Sequence, residues 1–159
     1  MSSDVELNSI GLLKRREIEA RVLAPVVEAL AGAFGREQVL AVVRGAIENV
    51  ARAQGAELAR QTGAKDMAAF RVAVEGWKQD GALELTVLRE DAQTLDFDVT
   101  ACRYAAMYRE LGMEELGAIL SCSRDAAFAE GFNAELHLER SQTILDGAPR
   151  CDFRFRKNE

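Results

Sequence analysis

The spacing of apolar residues changes once along this chain, near residue 82, from a helical rhythm to strict alternation. Over 12–33, Ile18, Val22, Val26 and Leu30 recur one helical turn apart, with Arg15, Arg16, Glu19 and Glu28 between them. Pro25 predicts a kink or a new helix start within this run, and Gly35 ends it. A second helical run over 36–61 carries Val39, Val43, Ile47, Val50 and Leu58 and is expected to be capped by Gly63. Asp66 is a good N-cap for a third run over 67–79, whose stripe is Met67, Phe70, Val74 and Trp77, with Gly81 as its stop. All three stripes are expected to face a core.

Beyond residue 82 the rhythm is that of strands. Leu83, Leu85 and Val87 alternate with Glu84 and Thr86, and Leu95, Phe97 and Val99 alternate with Asp96, Asp98 and Thr100. The polar stretch 90–93 between them predicts a β-hairpin with one wet face. Helical spacing returns over 103–111, ending at Gly112, and over 114–121, while 125–130 fits a helix or an ordered loop equally. Strands are expected over 135–145, with a break near Ser141, and over 151–156, joined by the turn at 146–149. Helices first and antiparallel strands later predict an α+β fold, with N-terminal helices on one face of a C-terminal sheet and short helices inserted in it. No linker or repeat divides the chain, so residues 1–159 are expected to form a single domain, helical over 1–81 and sheet-containing over 82–159.

Charge and cysteine content narrow the function classes. Twenty Lys+Arg against 26 Asp+Glu give a net charge of −6, which is unsuited to nonspecific phosphate binding, so no nucleic acid is expected. No apolar run approaches the ~20 residues of a membrane span, so no membrane partner is expected. Residues 1–8 are polar and acidic, unlike a secretory signal. Three cysteines cannot all pair within one chain, and reduced thiols in a cytoplasmic setting are the expectation. There is no glycine-rich phosphate loop, no CxxC and no Gly-x-Ser-x-Gly elbow, and the one histidine excludes two-histidine metal motifs.

That histidine, His137, falls on the opposite strand face from Leu136 and Leu138, beside Glu135 and Glu139, and reads as a solvated structural residue. The cysteines stand at element ends: Cys102 where a strand meets a helix, Cys122 at a helix terminus, and Cys151 at the start of the last strand in phase with Phe153 and Phe155. Buried cysteine is often just a small apolar core residue. A reactive thiol needs its anion stabilised, and Arg103, Arg124 and Arg150 each lie one or two residues from a cysteine. In the last strand Asp152, Arg154 and Arg156 alternate with the phenylalanines, which predicts a solvated sheet face rather than a nucleic-acid surface.

The segments Asp98-Val99-Thr100-Ala101-Cys102-Arg103-Tyr104-Ala105, Cys122-Ser123-Arg124-Asp125, Glu130-Gly131-Phe132-Asn133 and Cys151-Asp152-Phe153-Arg154 occur in that order. Over roughly 96–156 this pattern resembles the L-2-amino-thiazoline-4-carboxylic acid hydrolase family. The resemblance implies hydrolytic opening of a cyclic amidine: water adds between nitrogen and sulfur and the ring C–S bond breaks, giving a carbamoylated cysteine. Under it the nucleophile is a cysteine, with Cys122 or Cys102 preferred and Cys151 beside them, and Asp125 positions or deprotonates water. Arg103 or Arg124 would hold the substrate carboxylate, and Tyr104 and Tyr108, one turn apart, would face the same pocket.

Three further readings stay open. A zinc ion held by the cysteines with Asp125 or His137 would polarise water, although spacings of about twenty and thirty residues are not those of zinc fingers; otherwise no cofactor is expected. A non-catalytic module would use the thiols to sense a small ligand or metal. Third, the small residues over 46–59 permit close helix approach and a homo-oligomer.

Overall fold

The structure is a computed structural model and describes residues 10–158; the acidic N-terminal residues 1–8 lie outside that range. Three helices come first. Helix α1 (Leu12–Phe34) runs through Pro25 as one element and ends at Gly35, whose φ of 91° turns the chain into α2 (Arg36–Thr62). Pro25 neither restarts nor ends the helix; its ring faces solvent, and Ala20 and Val27 anchor the turns on either side. Gly63 closes α2 in the left-handed conformation, and the Asp66 carboxylate accepts the Ala69 N–H at 2.8 Å to start α3 (Met67–Gly76). Helix α3 stops short of residue 79; a 3-10 turn at Gln79–Gly81 follows, in which Asp80 takes a positive φ of 59°.

Helix α3 buries Met67, Phe70 and Val74 as its stripe requires, but α1 reverses the expectation. Val22 is 62% exposed and Ile18 and Val26 are each 50% exposed, whereas Arg16, Ala20 and Val27 are buried. Helix α1 carries a second, offset stripe containing a small residue, and that narrower face makes the close approach to the rest of the chain. The same logic turns Val50 of α2 outward and puts Ala51, Gly55 and Ala59 inside.

The C-terminal half holds a four-stranded antiparallel sheet of β1 (Leu83–Glu90), β2 (Thr94–Cys102), β3 (Leu136–Glu139) and β4 (Cys151–Lys157), in spatial order β1-β2-β4-β3. In register, Phe97 faces Phe153, Leu95 faces Phe155 and Val99 faces Cys151; the first pair stacks with centroids 4.8 Å apart. This aromatic face packs on Phe70 of α3 and on Phe132, forming the main core. The outer face is the solvated ion-pair surface that the alternation predicts, with Arg154 on Asp98 at 2.7 Å and Arg156 on Asp96. Strand β3 is shorter than 135–145, because the Asp152 carboxylate accepts the Ser141 and Gln142 N–H groups and bends the chain out of the sheet.

Between β2 and β3 lie α4 (Arg103–Glu110), α5 (Glu114–Gly117), a π-helical turn (Ala118–Cys122) and α6 (Arg124–Phe132), which makes residues 125–130 helical. Helix α6 crosses α2 at van der Waals limits. A Cβ on Gly55 would sit 2.1 Å from the Phe128 carbonyl oxygen, and one on Gly131 would sit 2.1 Å from the Arg52 carbonyl oxygen. The small residues over 46–59 are thus covered by α6 of the same chain at Gly55, while Ala46, Ala53 and Ala56 stay exposed. No helix of the described residues is long and apolar enough to cross a membrane.

This crossing yields opposite signs for two alanine substitutions in one helix. Gly55→Ala should lower unfolding stability by about 1–3 kcal/mol, since backbone on the facing helix must move. Gly45→Ala, where a Cβ meets nothing within 4 Å, should raise it by about 0.5–1 kcal/mol. Urea unfolding followed by circular dichroism measures both; equal effects would contradict the packing.

Candidate functional site

A cavity of about 650 Å³ lies between α1, α2, the inner sheet face and the α4–α6 segment. That is within the range of sites that enclose a small organic molecule. Its wall is mostly apolar and aromatic, with Val50, Leu58, Trp77, Phe128 and Phe153, and the exposed residues Val50, Ala53 and Glu57 place its opening along α2.

All three cysteines line this one cavity, brought there by different devices. Cys102 ends β2 and caps α4, its Sγ accepting the Ala105 N–H at 3.4 Å. Cys122 closes the π-helical turn, where the Ser123 N–H reaches back five residues to the Ala118 carbonyl; an extra residue in a helical turn is a common way to aim a functional side chain. Cys151 faces inward with Phe153 and Phe155, its Sγ accepting the Ile144 N–H at 3.2 Å. Tyr104 and Tyr108 also line the cavity; the Tyr108 ring lies directly on the Gly117 backbone and its hydroxyl shares a hydrogen bond with Ser121 at 2.9 Å. Burial pushes both phenols up to about 12, so they act as neutral hydrogen-bonding groups.

The electrostatics of the thiols differ from the expectation that neighbouring arginines stabilise thiolates. Arg103 is not a lining residue; its guanidinium donates to the Asp80 carbonyl at 2.8 Å. Arg150 pairs with Asp98 on the outer face at 3.1 Å, and Arg124 lines the cavity but donates to Gln54. Burial raises all three thiols, and for Cys122 burial together with the Asp125 charge takes it up to about 12. At neutral pH the cavity therefore holds thiols, not thiolates. Adjacency in sequence did not translate into adjacency in space.

The residue that organises the polar corner is Arg140, which lies just past β3 and carries no motif of its own. It donates to Asp125 Oδ2 at 2.6 Å and to the Cys122 carbonyl at 2.8 Å, and its guanidinium lies 4.9 Å from the centre of the Phe153 ring. Both partners are largely covered, with side-chain exposures of 14% and 21%. Burial raises the Asp125 carboxyl above the usual range while Arg140 opposes the rise. Burial pulls Arg140 down, and Asp125 more than restores it. His137 is exposed on the far sheet face and takes no part. Among the described residues, no three Cys, His, Asp or Glu side chains converge closely enough to hold a metal ion.

Removing Arg140 should leave a desolvated carboxylate without its partner. Arg140→Ala is expected to cost about 2–4 kcal/mol at neutral pH, less than a fully buried pair because the cavity admits water. The penalty should shrink as pH falls through the raised pKa of Asp125, where protonation removes the orphaned charge. Chemical denaturation at pH 7 and pH 4 reads both; a penalty independent of pH would contradict the pairing.

Comparison with known proteins places this geometry. The solved structure of the phenol-responsive sensory domain of the transcription activator PoxR, with phenol, matches with a TM-score of 0.56 at 12% identity, over 86% of this chain and 73% of that one. Trafficking protein particle complex subunit 3 from Naegleria fowleri, covalently bound to palmitic acid, matches with a TM-score of 0.52 at 12% identity, over 91% of this chain and 96% of that one. At such identities the likeness is one of fold. None of the curated proteins compared with the chain matches it. The sequence profile of the L-2-amino-thiazoline-4-carboxylic acid hydrolase family matches residues 15–155, taking in the helical half as well as the cysteine segments, and the chain belongs to that family.

Proposed function

We propose that the cavity binds a small cyclic amidine or a related C–N or C–S substrate and hydrolyses it, with Asp125 as the base. The observation that carries the reading is the Asp125–Arg140 pair set into the wall of a mostly apolar chamber. A desolvated ion pair weakens a structure unless something else requires it. A carboxyl raised by burial, with one arginine opposing the rise, is a stronger base than one in water. Family membership supports the reaction class.

The step balances without a cofactor. Asp125 takes a proton from water as its oxygen adds to the ring carbon between nitrogen and sulfur. The C–S bond then breaks as the added hydroxyl becomes a carbonyl and its proton goes to the ring nitrogen, while Asp125 returns its own proton to the departing sulfur. Neutral phenols of Tyr104 and Tyr108 supply hydrogen bonds to the ring, and Arg140 steadies Asp125 in both protonation states. The unionised thiols favour this water route over attack by sulfur at neutral pH.

A second reading, a binding module without turnover, rests on two observations. The two fold neighbours were solved holding phenol and palmitic acid, and one five-membered ring with a carboxylate leaves much of about 650 Å³ unfilled.

Turnover of 2-amino-thiazoline-4-carboxylate, followed by release of product thiol, separates these readings. Wild type should turn over, Asp125→Asn should lose about 10²–10⁴-fold in kcat, and Cys122→Ser should keep measurable activity. The rate should fall as pH drops through the raised pKa of Asp125 and not climb toward about 12 with the Cys122 thiol. Loss of activity in Cys122→Ser with a rate rising into alkali would replace water by sulfur as nucleophile. Stoichiometric ligand binding with no product from any cyclic amidine would leave the binding module.

A further inference from the structure

Helix α1 has a second face that the fold leaves open. Its inner side is spent on Arg16, Ala20 and Val27. At about 100° per residue, Ile18, Val22, Pro25, Val26, Ala29 and Ala33 share a stripe about 100° wide on the opposite side. All six are exposed. The stripe runs for about 24 Å and carries no charged residue between Ile18 and Ala33. A helix that is apolar on both sides belongs inside a core, not on a surface. The spacing of Ile18, Val22 and Val26 predicts a core contact that a single chain does not supply, since each is half or more exposed.

We propose that a second copy of this chain covers the stripe, with α1 packed on α1 across a two-fold axis. A two-fold contact sets one patch against itself, so a single stripe per chain is enough. Roughly 400 Å² of apolar surface lies open along it, about half of the ~800 Å² that each partner gives to a stable dimer, and the polar rim provides the rest. Charge sets the direction of packing. Residues 12–23 carry Lys14, Arg15, Arg16 and Arg21 against Glu17 and Glu19, four cations to two carboxylates, a net charge of +2. Residues 24–34 carry Glu28 alone, and the Arg36 that it bonds is shared with Glu115, so that end is net negative. Antiparallel helices lay the positive half of each on the negative half of the other, whereas parallel helices lay like on like. The contact is therefore antiparallel. It stands apart from the hydrolase reading and does not depend on it.

Sedimentation equilibrium of the intact protein over about 1–100 μM tests the interface. The wild-type protein is expected to have the mass of two chains at the upper end of that range. Val22→Glu and Val26→Glu place a charge in the middle of the stripe and should each raise the dimer dissociation constant at least about 30-fold. Both positions are exposed in the single chain, so helix content by circular dichroism should not change. Val72→Glu, at a similarly exposed valine of α3 away from the stripe, should leave the constant within about twofold. Arg21→Glu reads the direction, because it should weaken an antiparallel dimer several-fold and would tighten a parallel one. The mass of one chain at every concentration, which needs no variant to fold, would overturn the proposal, as would a dimer that survives both glutamates. Binding of such a monomer to phosphatidylcholine vesicles, lost in Val22→Glu, would give the stripe to a lipid surface instead. Tightening by Arg21→Glu would overturn the antiparallel arrangement.

Discussion

The pairing of Asp125 with Arg140 is the interaction around which the rest of this structure is arranged. It ties α6 to the segment leaving β3, and a further hydrogen bond from Arg140 fixes the backbone at Cys122. It also opposes the rise that burial imposes on a carboxyl set within a wall of Trp77, Phe128 and Phe153. Desolvation of that order is tolerated where it serves chemistry or specificity.

The cavity exists because the core closes tightly elsewhere. Gly55 and Gly131 bring α2 and α6 into backbone contact, and the stacked Phe97 and Phe153 give α3 and α6 a flat surface to cover. Helix α1 packs Ala20, Val27 and the partly buried Leu12, Leu13, Leu23 and Ala24 into one core cluster with Tyr104 and Tyr108, while its Arg16 lines the cavity. The space left over is mostly apolar, with Asp125 and Arg140 among its charged lining residues.

Much of the fold was legible in the sequence because periodicity reports the faces that elements bury. The change of rhythm at residue 82, the Asp66 cap, the Gly63 and Gly112 stops and the phase of Cys151 with Phe153 all reappear in the structure. Helix α1 misled because it carries two stripes, and the larger, β-branched one faces outward while the smaller residues pack. The break expected near Ser141 is present, and the strand does not resume after it because one side chain, Asp152, captures two backbone N–H groups that a ladder would need. At the site, the three cysteines, Asp125, Arg124, Tyr104 and Tyr108 could be named from the chain because they sit in recognisable segments, and all of them line the cavity. Arg103 was drawn in by adjacency and points elsewhere. Arg140 was missed: it follows a short strand, and only long-range packing brings it to Asp125.

The account stands most directly on the state of one carboxyl group. Selective ¹³C labelling of aspartate and an NMR pH titration, with the Asp125 resonance assigned by its loss in Asp125→Asn, measures that state. A titration midpoint above the ordinary aspartate value of about 3.9 is the predicted result. A midpoint at or below that value would mean that Asp125 is solvated or bound by more cations than Arg140, and would contradict the buried pair on which the site is built.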